Sequence, residues 1–453
     1  LFADVSGFTK LSEAFASKGP QGAEELAFFL NRYMEQLVRH IARAGGDVFK
    51  FAGDAMLVLW VPPGDLDEDG IQKEIRNMAH RAVQTSIAIQ NELHSADLTD
   101  GVTLSVKIGI GVGNATVLHV GGVYSRVEYF ACGIPLMQAF KSEEHATQGD
   151  IIVSPDVWKI IEDSFTGDIF DDNYVRITRQ TQAVRNKSVK AGNSKYLQAD
   201  VHELQKLLAK YIPAAVLPYL TRCQNSWSGE LRLVTVLFVN VGVNLSNVQT
   251  IDHTSLAWIQ QVITGIQKAI YRYEGSLNKF LVDDKGSNVI AVFGVPPLAH
   301  NDDATRGLLA ALKLLRKMHG LGIKCYIGVT SGLVYTGLLG SGTSREYGVL
   351  GDAVNLAARL MAKQKKCGVP GVICDTTTQE LIPSDAPIRF DSLEPFHVKG
   401  KMQLIKAFSP KYTENILAYK PQSHYYNIGR ESYINLIEKW FKKESSFVSL
   451  IES

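Results

Sequence analysis

The sequence predicts an α+β protein that carries two ferredoxin-like β-α-β-β-α-β modules in one chain. Three observations predict this fold class. The two halves of the chain repeat the same order of strand and helix patterns, which is the signature of an internal repeat. Both halves contain a hairpin-like pair of strands that closes on Val-Pro-Pro, at Val61-Pro62-Pro63 and Val295-Pro296-Pro297. A length of 453 residues also suits two or three domains better than one.

Each half opens with a short apolar strand that ends near a polar residue, at Leu1–Val5 and at Val236–Asn240. A long helix is predicted next, because apolar residues recur at helical spacing. We expect these stripes to be core; they are Leu26, Phe29, Leu30, Tyr33, Leu37 and Ile41 in the first half, and Leu256, Ile259, Val262, Ile263, Ile266 and Ile270 in the second.

Each long helix is followed by a glycine-containing turn and two adjacent strands, which we predict within Gly45–Trp60 and Gly275–Phe293. A second helix then leads to a strand at Val106–Ile110 or Cys325–Val329. A last segment, Tyr129–Gly133 or Tyr347–Gly351, opens a further helix. This completes the ferredoxin-like order in both halves.

The repeat predicts the domain boundaries. The first module spans 1–182, a linker spans 183–228, and the second module spans 229–412. The linker contains a polar run at Arg185–Ser194 and a helical stretch at His202–Tyr211. Residues 413–453 are expected to be a linker and the start of a truncated C-terminal domain, and the chain is expected to be a fragment of a longer protein.

Composition excludes several classes of protein. The formal net charge is +1, which gives no broad basic field for nucleic acid. The longest apolar runs are far shorter than the roughly 18 residues that span a bilayer, so no transmembrane segment is predicted. The five cysteines are scattered and odd in number, which indicates neither a disulfide framework nor a zinc site. A reducing cytoplasm is the expected location.

Two aspartates are candidate metal ligands. Asp4 ends the first strand and precedes a small-residue turn, Ser6-Gly7-Phe8-Thr9, whose N–H groups could hold phosphate oxygens. Asp54 follows in a tight turn between two strands that should lie beside the first. Two carboxylates brought together there suit a pair of Mg²⁺ or Mn²⁺ ions. The alternative is that both are turn-capping aspartates.

These segments resemble the class III nucleotidyl cyclases, and the tandem arrangement is most similar to soluble adenylyl cyclases. The strongest motif is the run from Val349 to Arg359, Val-Leu-Gly-Asp-Ala-Val-Asn-Leu-Ala-Ala-Arg. The resemblance implies that Asn355 and Arg359 are catalytic. It also implies that the two modules pair within the chain as a pseudo-symmetric heterodimer.

The two halves are complementary. The second module has Asn240 where the first has Asp4, and alignment of the turn glycines puts Ser287 opposite Asp54. The first module in turn has Met137 and Lys141 where the second has Asn355 and Arg359. One site is therefore predicted, with metals from module one and the catalytic helix from module two. Another gap placement would bring Asp283 or Asp284 to the Ser287 position.

The resemblance implies further roles. The Val5 carbonyl would assist the metals, and Lys107 and Lys399 would bind the β- and γ-phosphates; a solvated surface charge is the alternative for each lysine. Lys279 would donate to the adenine ring and the Val349 backbone would assist. ATP is therefore expected over GTP, but Gly348 departs from the family, which has Asp or Thr there, so the strictness of this preference is left open.

The resemblance also implies a candidate bicarbonate site in the degenerate cleft, near Lys50, Ala131 and Lys141. The family's arginine position is occupied by Phe140. Guanidinium is the better bidentate partner for a planar anion, so we expect bicarbonate to bind more weakly than is usual, or not at all.

The predicted activity is conversion of ATP to cyclic AMP and pyrophosphate. Two alternatives are kept: a guanylyl cyclase, which Lys279 disfavours, and a non-catalytic nucleotide-binding regulatory module.

Overall fold

The computed structural model describes residues 1–7, 11, 15, 20–52, 55–94, 96–99, 102–182, 201–213, 216, 229–242, 253–283, 286–340, 344–398 and 404–413. Four predicted site residues, Asp54, Phe8, Thr9 and Lys399, lie outside these ranges. So do Asp284, the polar run of the linker, and nearly all of the predicted C-terminal segment.

The first module contains ten strands and four α-helices within the described ranges. The elements are β1 (Phe2–Ser6), α1 (Pro20–Arg43), β2 (Asp47–Ala52), β3 (Ala55–Leu59), α2 (Glu68–Leu93), β4 (Ala96–Thr99), β5 (Val102–Ile110), β6 (Ala115–Val123), β7 (Arg126–Gly133), α3 (Ile134–His145), β8 (Ile151–Val153), α4 (Pro155–Ile161), β9 (Phe165–Ile169) and β10 (Val175–Gln180). A short 3₁₀ turn, Asp171–Asn173, joins β9 to β10.

A connecting helix, α5 (Val201–Ala209), lies between the modules where the sequence predicts a helical stretch. The second module then repeats the order, with β11 (Glu230–Val241), α6 (His253–Tyr271), β12 (Ser276–Asp283), β13 (Gly286–Phe293), α7 (Asp303–Gly320), β14 (Cys325–Gly340), β15 (Arg345–Leu350), α8 (Asp352–Lys366), β16 (Gly371–Asp375), α9 (Thr376–Glu380), β17 (Ile388–Ser392) and β18 (Ala407–Tyr412).

Both main sheets begin with the strand order that the ferredoxin-like prediction requires. The first runs β2-β3-β1-β5-β8-β10-β9 and the second β12-β13-β11-β14-β16-β18-β17. In each, the first four strands are antiparallel and the fourth is followed by a parallel neighbour, at β5–β8 and β14–β16. The predicted α+β fold with two related modules is confirmed.

The predicted helical stripes are core with one exception, although Phe29 is only partly buried where it packs against the core. In α1 the stripe residues Leu26, Leu30, Leu37 and Ile41 are at most 1% exposed. In α6 the stripe is likewise buried, but Leu256 is 36% exposed, so its prediction as core is wrong. Leu256 lies in the first turn of α6, and residues 254–258 at this end of the helix are all exposed.

Each module completes the core of the other. Leu118, Val120 and Phe130, from the β6–β7 hairpin of the first module, belong to the core cluster of the second module. Reciprocally, Tyr335, Leu339 and Leu350 of β14 and β15 join the core cluster of the first. Removing these apolar side chains from water favours pairing of the modules. No helix in the described ranges has the length and apolar character of a membrane span.

Candidate active site

Asp4 lies on the central strand of the first sheet. Its Cα is paired with Ala55 on β3 and with Lys107 on β5. Ala55 directly follows Asp54 in the sequence, so the strand register brings positions 4 and 54 to adjacent strands. The Asp4 side chain is 27% exposed, so it remains open to a ligand from solvent.

Lys107 neutralises Asp4 in this structure. Its Nζ lies 3.1 Å from Asp4 Oδ2 and also contacts the Glu143 carboxylate. Burial lowers the pKa of Lys107, but the hydrogen bond to Glu143 and the charge of Asp4 outweigh it, so the pKa lies above its usual value. An ammonium group therefore stands beside a predicted metal ligand. Glu143 had no distinguishing signal in the sequence.

The equivalent position of the second module is uncharged. Asn240 is paired with Asn288 and Tyr326, as Asp4 is paired with Ala55 and Lys107. Asn240 is 1% exposed, and its Nδ2 donates to Asn288 Oδ1 at 2.8 Å. Ser287 precedes Asn288 as Asp54 precedes Ala55, so the register agrees with the sequence alignment of Ser287 with Asp54. The structure does not describe the Asp283 side chain.

Asn355 and Arg359 lie one turn apart on α8, so both project from one face of the helix. Both are half-buried. Helix α8 packs closely on β14 because Gly328 has no side chain: a Cβ there would lie 2.0 Å from the Ala357 carbonyl oxygen. The backbone position of the predicted catalytic pair thus depends on a glycine in the neighbouring strand.

The first module has the same helix packing without the same side chains. A Cβ at Gly109 would lie 2.1 Å from the Ala139 carbonyl oxygen, so Ala139 on α3 is equivalent to Ala357 on α8. Two positions before and after Ala139 lie Met137 and Lys141, whereas Asn355 and Arg359 flank Ala357. The packing therefore supports the complementary alignment of the two halves.

Lys279 reaches from the second module into the first. It is 2% exposed, and its Nζ donates to the Phe51 carbonyl oxygen at 2.9 Å. Glu346 on β15 completes the group: its Oε2 accepts from the Phe51 amide at 2.9 Å and its Oε1 lies 3.9 Å from Lys279 Nζ. Sequence analysis missed Glu346. The available signal was its place two residues before Gly348, on the same face of a strand.

Lys50 makes the reciprocal contact. It is 6% exposed, and its Nζ donates to the Phe280 carbonyl oxygen of the second module at 3.0 Å and to Tyr129 O at 2.9 Å. The ammonium also lies 4.7 Å from the centroid of the Tyr129 ring. Burial lowers the pKa of Lys50. Equivalent Lys-Phe pairs, Lys50-Phe51 and Lys279-Phe280, therefore cross the interface in opposite directions.

The other two residues of the candidate bicarbonate site lie in different environments. Ala131 is buried in an apolar cluster with Phe140, whose ring meets Phe2 edge-on at a centroid distance of 4.9 Å. Lys141 is exposed, whereas Lys50 is buried in the interface. The cation nearest in sequence to the family's arginine position thus faces solvent.

The remaining described site residues flank the predicted metal and base positions. Val5 is 1% exposed, and Ser6 and Gly7 are half-buried at the end of β1. Gly7 has φ +101°, a conformation that favours glycine, and its carbonyl accepts from the Leu11 amide. Val349 is 4% exposed on β15 and is paired with Thr336.

The family model for the adenylate and guanylate cyclase catalytic domain matches residues 1–189 and 230–410. The chain belongs to this family. Among curated relatives it is 28% identical to adenylate cyclase type 10 of Oryctolagus cuniculus over 410 residues, which cover 83% of this chain and 24% of the relative. The human protein of the same name is 28% identical over 408 residues, with 83% and 24% covered. The chain thus spans about a quarter of the length of these relatives.

One solved structure has a similar fold over most of the cyclase domain pair. It is a class III adenylyl cyclase-like ATP-binding protein from Pseudomonas aeruginosa, with a TM-score of 0.54, 16% sequence identity and 84% of each chain covered. At this identity the likeness concerns the fold. The two-module class III arrangement is therefore found in another chain of distant sequence.

Proposed function

We propose that this chain is an adenylyl cyclase that converts ATP to 3′,5′-cyclic AMP and pyrophosphate at one site between its modules. The observation that carries the proposal is how the family's functional side chains are divided between the two modules, whose strands and helices are equivalent at these positions. Asp4 and Lys107 lie on the first module, where the second has Asn240 and Tyr326. Asn355 and Arg359 lie on the second module alone. A complete set of family residues can be assembled once per chain.

Asp4, Asp54 and the Val5 carbonyl would hold two Mg²⁺ or Mn²⁺ ions. The donor set suits these ions, because they favour oxygen ligands. The ammonium of Lys107 lies 3.1 Å from Asp4 Oδ2, so binding of the ions by Asp4 would require this ammonium to move away from the carboxylate. When bound, the ions would lower the pKa of the ribose 3′-hydroxyl and neutralise charge on the triphosphate.

The triphosphate would be held by backbone and lysines. The N–H groups of Ser6, Gly7, Phe8 and Thr9 are candidates for hydrogen bonds to phosphate oxygens. Lys107 and Lys399 would bind the β- and γ-phosphates. The raised pKa of Lys107 keeps its ammonium protonated, so it can move from Asp4 to a phosphate when the carboxylate is engaged elsewhere.

The reaction forms a bond from the ribose 3′-oxygen to the α-phosphorus and breaks the bond from the α-phosphorus to the bridging oxygen, whose electron pair leaves with pyrophosphate, while the proton of the 3′-hydroxyl passes to solvent. Arg359 would stabilise negative charge that grows on the α-phosphate, for which a planar guanidinium is well suited. Asn355 would orient the ribose. Both roles require the substrate to lie between the modules.

Base selection would use Lys279. Its ammonium has three N–H donors. One is bonded to the Phe51 carbonyl and another can face Glu346, so a third is available to the adenine ring. The Val349 backbone carbonyl would accept from the adenine amino group, because Gly348 offers no side chain.

The test is product formation by the purified chain from ATP and GTP in parallel, with Mg²⁺ or Mn²⁺. Cyclic AMP from ATP, with a much slower reaction from GTP, is the expected result. Titration with a non-hydrolysable ATP analogue should give one metal-dependent site per chain. Faster turnover of GTP would identify a guanylyl cyclase. Analogue binding without turnover of either nucleotide would identify a regulatory nucleotide-binding module.

A further inference from the structure

A large cleft lies away from the proposed catalytic residues. Its volume is about 1400 Å³, and it is lined by the β6–β7 turn of the first module, the end of α5, and the facing sides of α6 and α7. None of the described residues proposed for metal or ATP binding lines it. The cleft therefore has no role in the proposed reaction.

The walls of the cleft carry charge of one sign. Arg126 and Arg306 are paired with carboxylates, and the lining acid Glu274 is committed to Arg306 and His300. Six exposed cations line the cleft, and none of them forms an ion pair with another residue in the described ranges. They are Lys206, Lys210, Lys268, Arg272, Lys313 and Lys317. Since the whole chain has a net charge of only +1, this surface is far more basic than the protein as a whole.

The β6–β7 turn of the first module forms one wall of the cleft and is fixed to the second module. Gln260 of α6 bonds both the amide and the carbonyl of Gly121, at 2.8 and 2.6 Å. Gln267 accepts from the Val123 amide at 3.1 Å and donates to the Arg126 carbonyl at 2.9 Å. These four hydrogen bonds hold the β6–β7 turn against α6, so the two modules form one continuous cleft surface.

The end of α5 forms another wall of the cleft and is attached to the same β6–β7 hairpin. The Lys210 carbonyl oxygen, at the end of α5, accepts from the Val127 amide at 2.8 Å and from Arg126 Nη1 at 3.3 Å. The Tyr211 ring packs against His119 and Tyr129. The cations of α5 are thereby held opposite those of α6 and α7.

Large apolar side chains stand beside these cations. Tyr124, on the β6–β7 turn, is 83% exposed and lines the cleft. Ile212, Pro297 and Leu298 also line the cleft and are half-buried or exposed. Accessible apolar groups beside cations offer a partner apolar area to bury as well as charge to neutralise.

We propose that this cleft binds an acidic peptide segment of a partner protein, with large apolar side chains among its carboxylates. The carboxylates would face the six cations, and the apolar groups would cover Tyr124 and the apolar lining at Ile212 and Leu298. The cleft exceeds the roughly 300–1,000 Å³ of typical small-molecule sites, which favours an extended ligand.

The chain's own connecting segments do not have the complementary charge. Residues 183–200 carry four cations and one acid, and residues 217–228 carry one cation and no acid. Either segment would add positive charge to a cleft that is already positive. Neither connecting segment therefore supplies the acidic charge that this cleft would attract, and the proposal does not depend on the cyclase reaction.

The test is fluorescence anisotropy with a labelled peptide of repeating Glu-Glu-Leu-Glu units and the full chain. A peptide with Gln and Ser in place of Glu is the uncharged control. We expect the acidic peptide to bind at about 0.15 M salt, and more weakly at about 0.5 M salt, where charges are screened. Equal binding of both peptides, or absence of binding by the acidic one, would overturn the proposal.

Charge-reversal variants locate the binding. Lys313→Glu combined with Lys317→Glu should weaken the acidic peptide at least about tenfold, whereas Lys73→Glu combined with Lys159→Glu, on exposed faces of α2 and α4, should change it less than about twofold. Tyr124→Ser should weaken it at least about threefold. Unchanged affinity in the cleft variants would contradict the assignment. Binding of inorganic tripolyphosphate but not of the peptide, lost with Lys313 and Lys317, would show a small-anion site instead.

Discussion

Glu346 joins the two modules through one carboxylate, and its replacement isolates the electrostatic part of the interface. Glu346→Gln keeps an oxygen that can accept from the Phe51 amide but removes the charge that faces Lys279. Lys279 is then a buried ammonium with a carbonyl partner and no facing carboxylate. We expect a loss of stability that depends on the presence of Lys279.

The size of the effect follows from the geometry. At 3.9 Å, two unit charges attract by about 4 kcal/mol at an effective dielectric constant of about 20, and by about 1 kcal/mol in bulk water. The side chains of Lys279 and Glu346 are 2% and 22% exposed, so the medium is nearer to protein than to water. Desolvation offsets part of the attraction. We therefore expect a coupling of about 1–3 kcal/mol.

A double-mutant cycle measures this coupling. Free energies of unfolding in urea are compared for the wild type, Glu346→Gln, Lys279→Met and the double variant. Non-additivity below about 0.5 kcal/mol would refute the ion pair. Glu346→Ala should cost about 1–3 kcal/mol more than Glu346→Gln, because it leaves the buried Phe51 N–H without an acceptor. Equal losses in the two variants would refute the hydrogen bond.

Two further predictions concern the proposed catalytic site, and two concern Lys50. Asp4→Asn or Asp54→Asn should reduce cyclic AMP formation more than about 100-fold without change in the far-ultraviolet circular dichroism, because each removes a metal ligand; near-normal turnover would exclude the metal assignment. Arg359→Lys should lower kcat about 100-fold or more while analogue affinity changes less than about threefold; an equal loss of affinity would show ground-state binding instead. Burial sets the pKa of Lys50 below its ordinary value of 10.5, so between these two pKa values the unfolded chain binds more protons and the free energy of unfolding rises with pH. Lys50→Met should remove this alkaline rise, and parallel pH profiles of wild type and variant would contradict it. Bicarbonate at fixed pH and ionic strength should change activity less than about twofold, as the Lys50 ammonium is bonded to two carbonyls; strong activation that Lys50→Ala abolishes would show that it binds there.

The fold could be predicted because it depends on signals that lie along the chain. Apolar periodicity marks α1 and α6, and the two Val-Pro-Pro segments align the halves. The connecting helix was predicted at His202–Tyr211 and is observed at Val201–Ala209. The sequence also predicted that the two modules are complementary, because this prediction needs only a comparison of the side chains at aligned positions of the two halves. Leu256 shows the limit, since helical spacing does not tell where along the helix burial begins.

The interface contacts could not be predicted, because their acceptors have no sequence signal. Lys50 and Lys279 donate to the carbonyls of Phe280 and Phe51, and every residue has a carbonyl. The partners are about 230 residues apart and meet only when the modules pair. The resemblance suggested Lys50 as an anion ligand. In the structure its ammonium donates to two carbonyl oxygens instead, and these acceptors have no sequence signal. Glu143 and Glu346 became visible only through the lysines they contact.

The interface also bears on how many sites the chain can have. Lys50 and Lys279 are held by equivalent contacts, and Gly109 and Gly328 allow equivalent helix packing. The proposed catalytic site and the degenerate cleft therefore have equivalent backbone arrangements, and the difference between them lies in their side chains. Conversion of the degenerate cleft into a second catalytic site would require at least Asn240→Asp and Ser287→Asp in the second module together with Met137→Asn and Lys141→Arg in the first. Intermediates with Asp at position 240 would place a carboxylate where Asn240 is 1% exposed and where Tyr326, not a lysine, is the neighbour. Because burial of a charge is costly unless it is fully compensated, we expect Asn240→Asp alone to destabilise the fold. Under the proposed function, we therefore expect one site per chain.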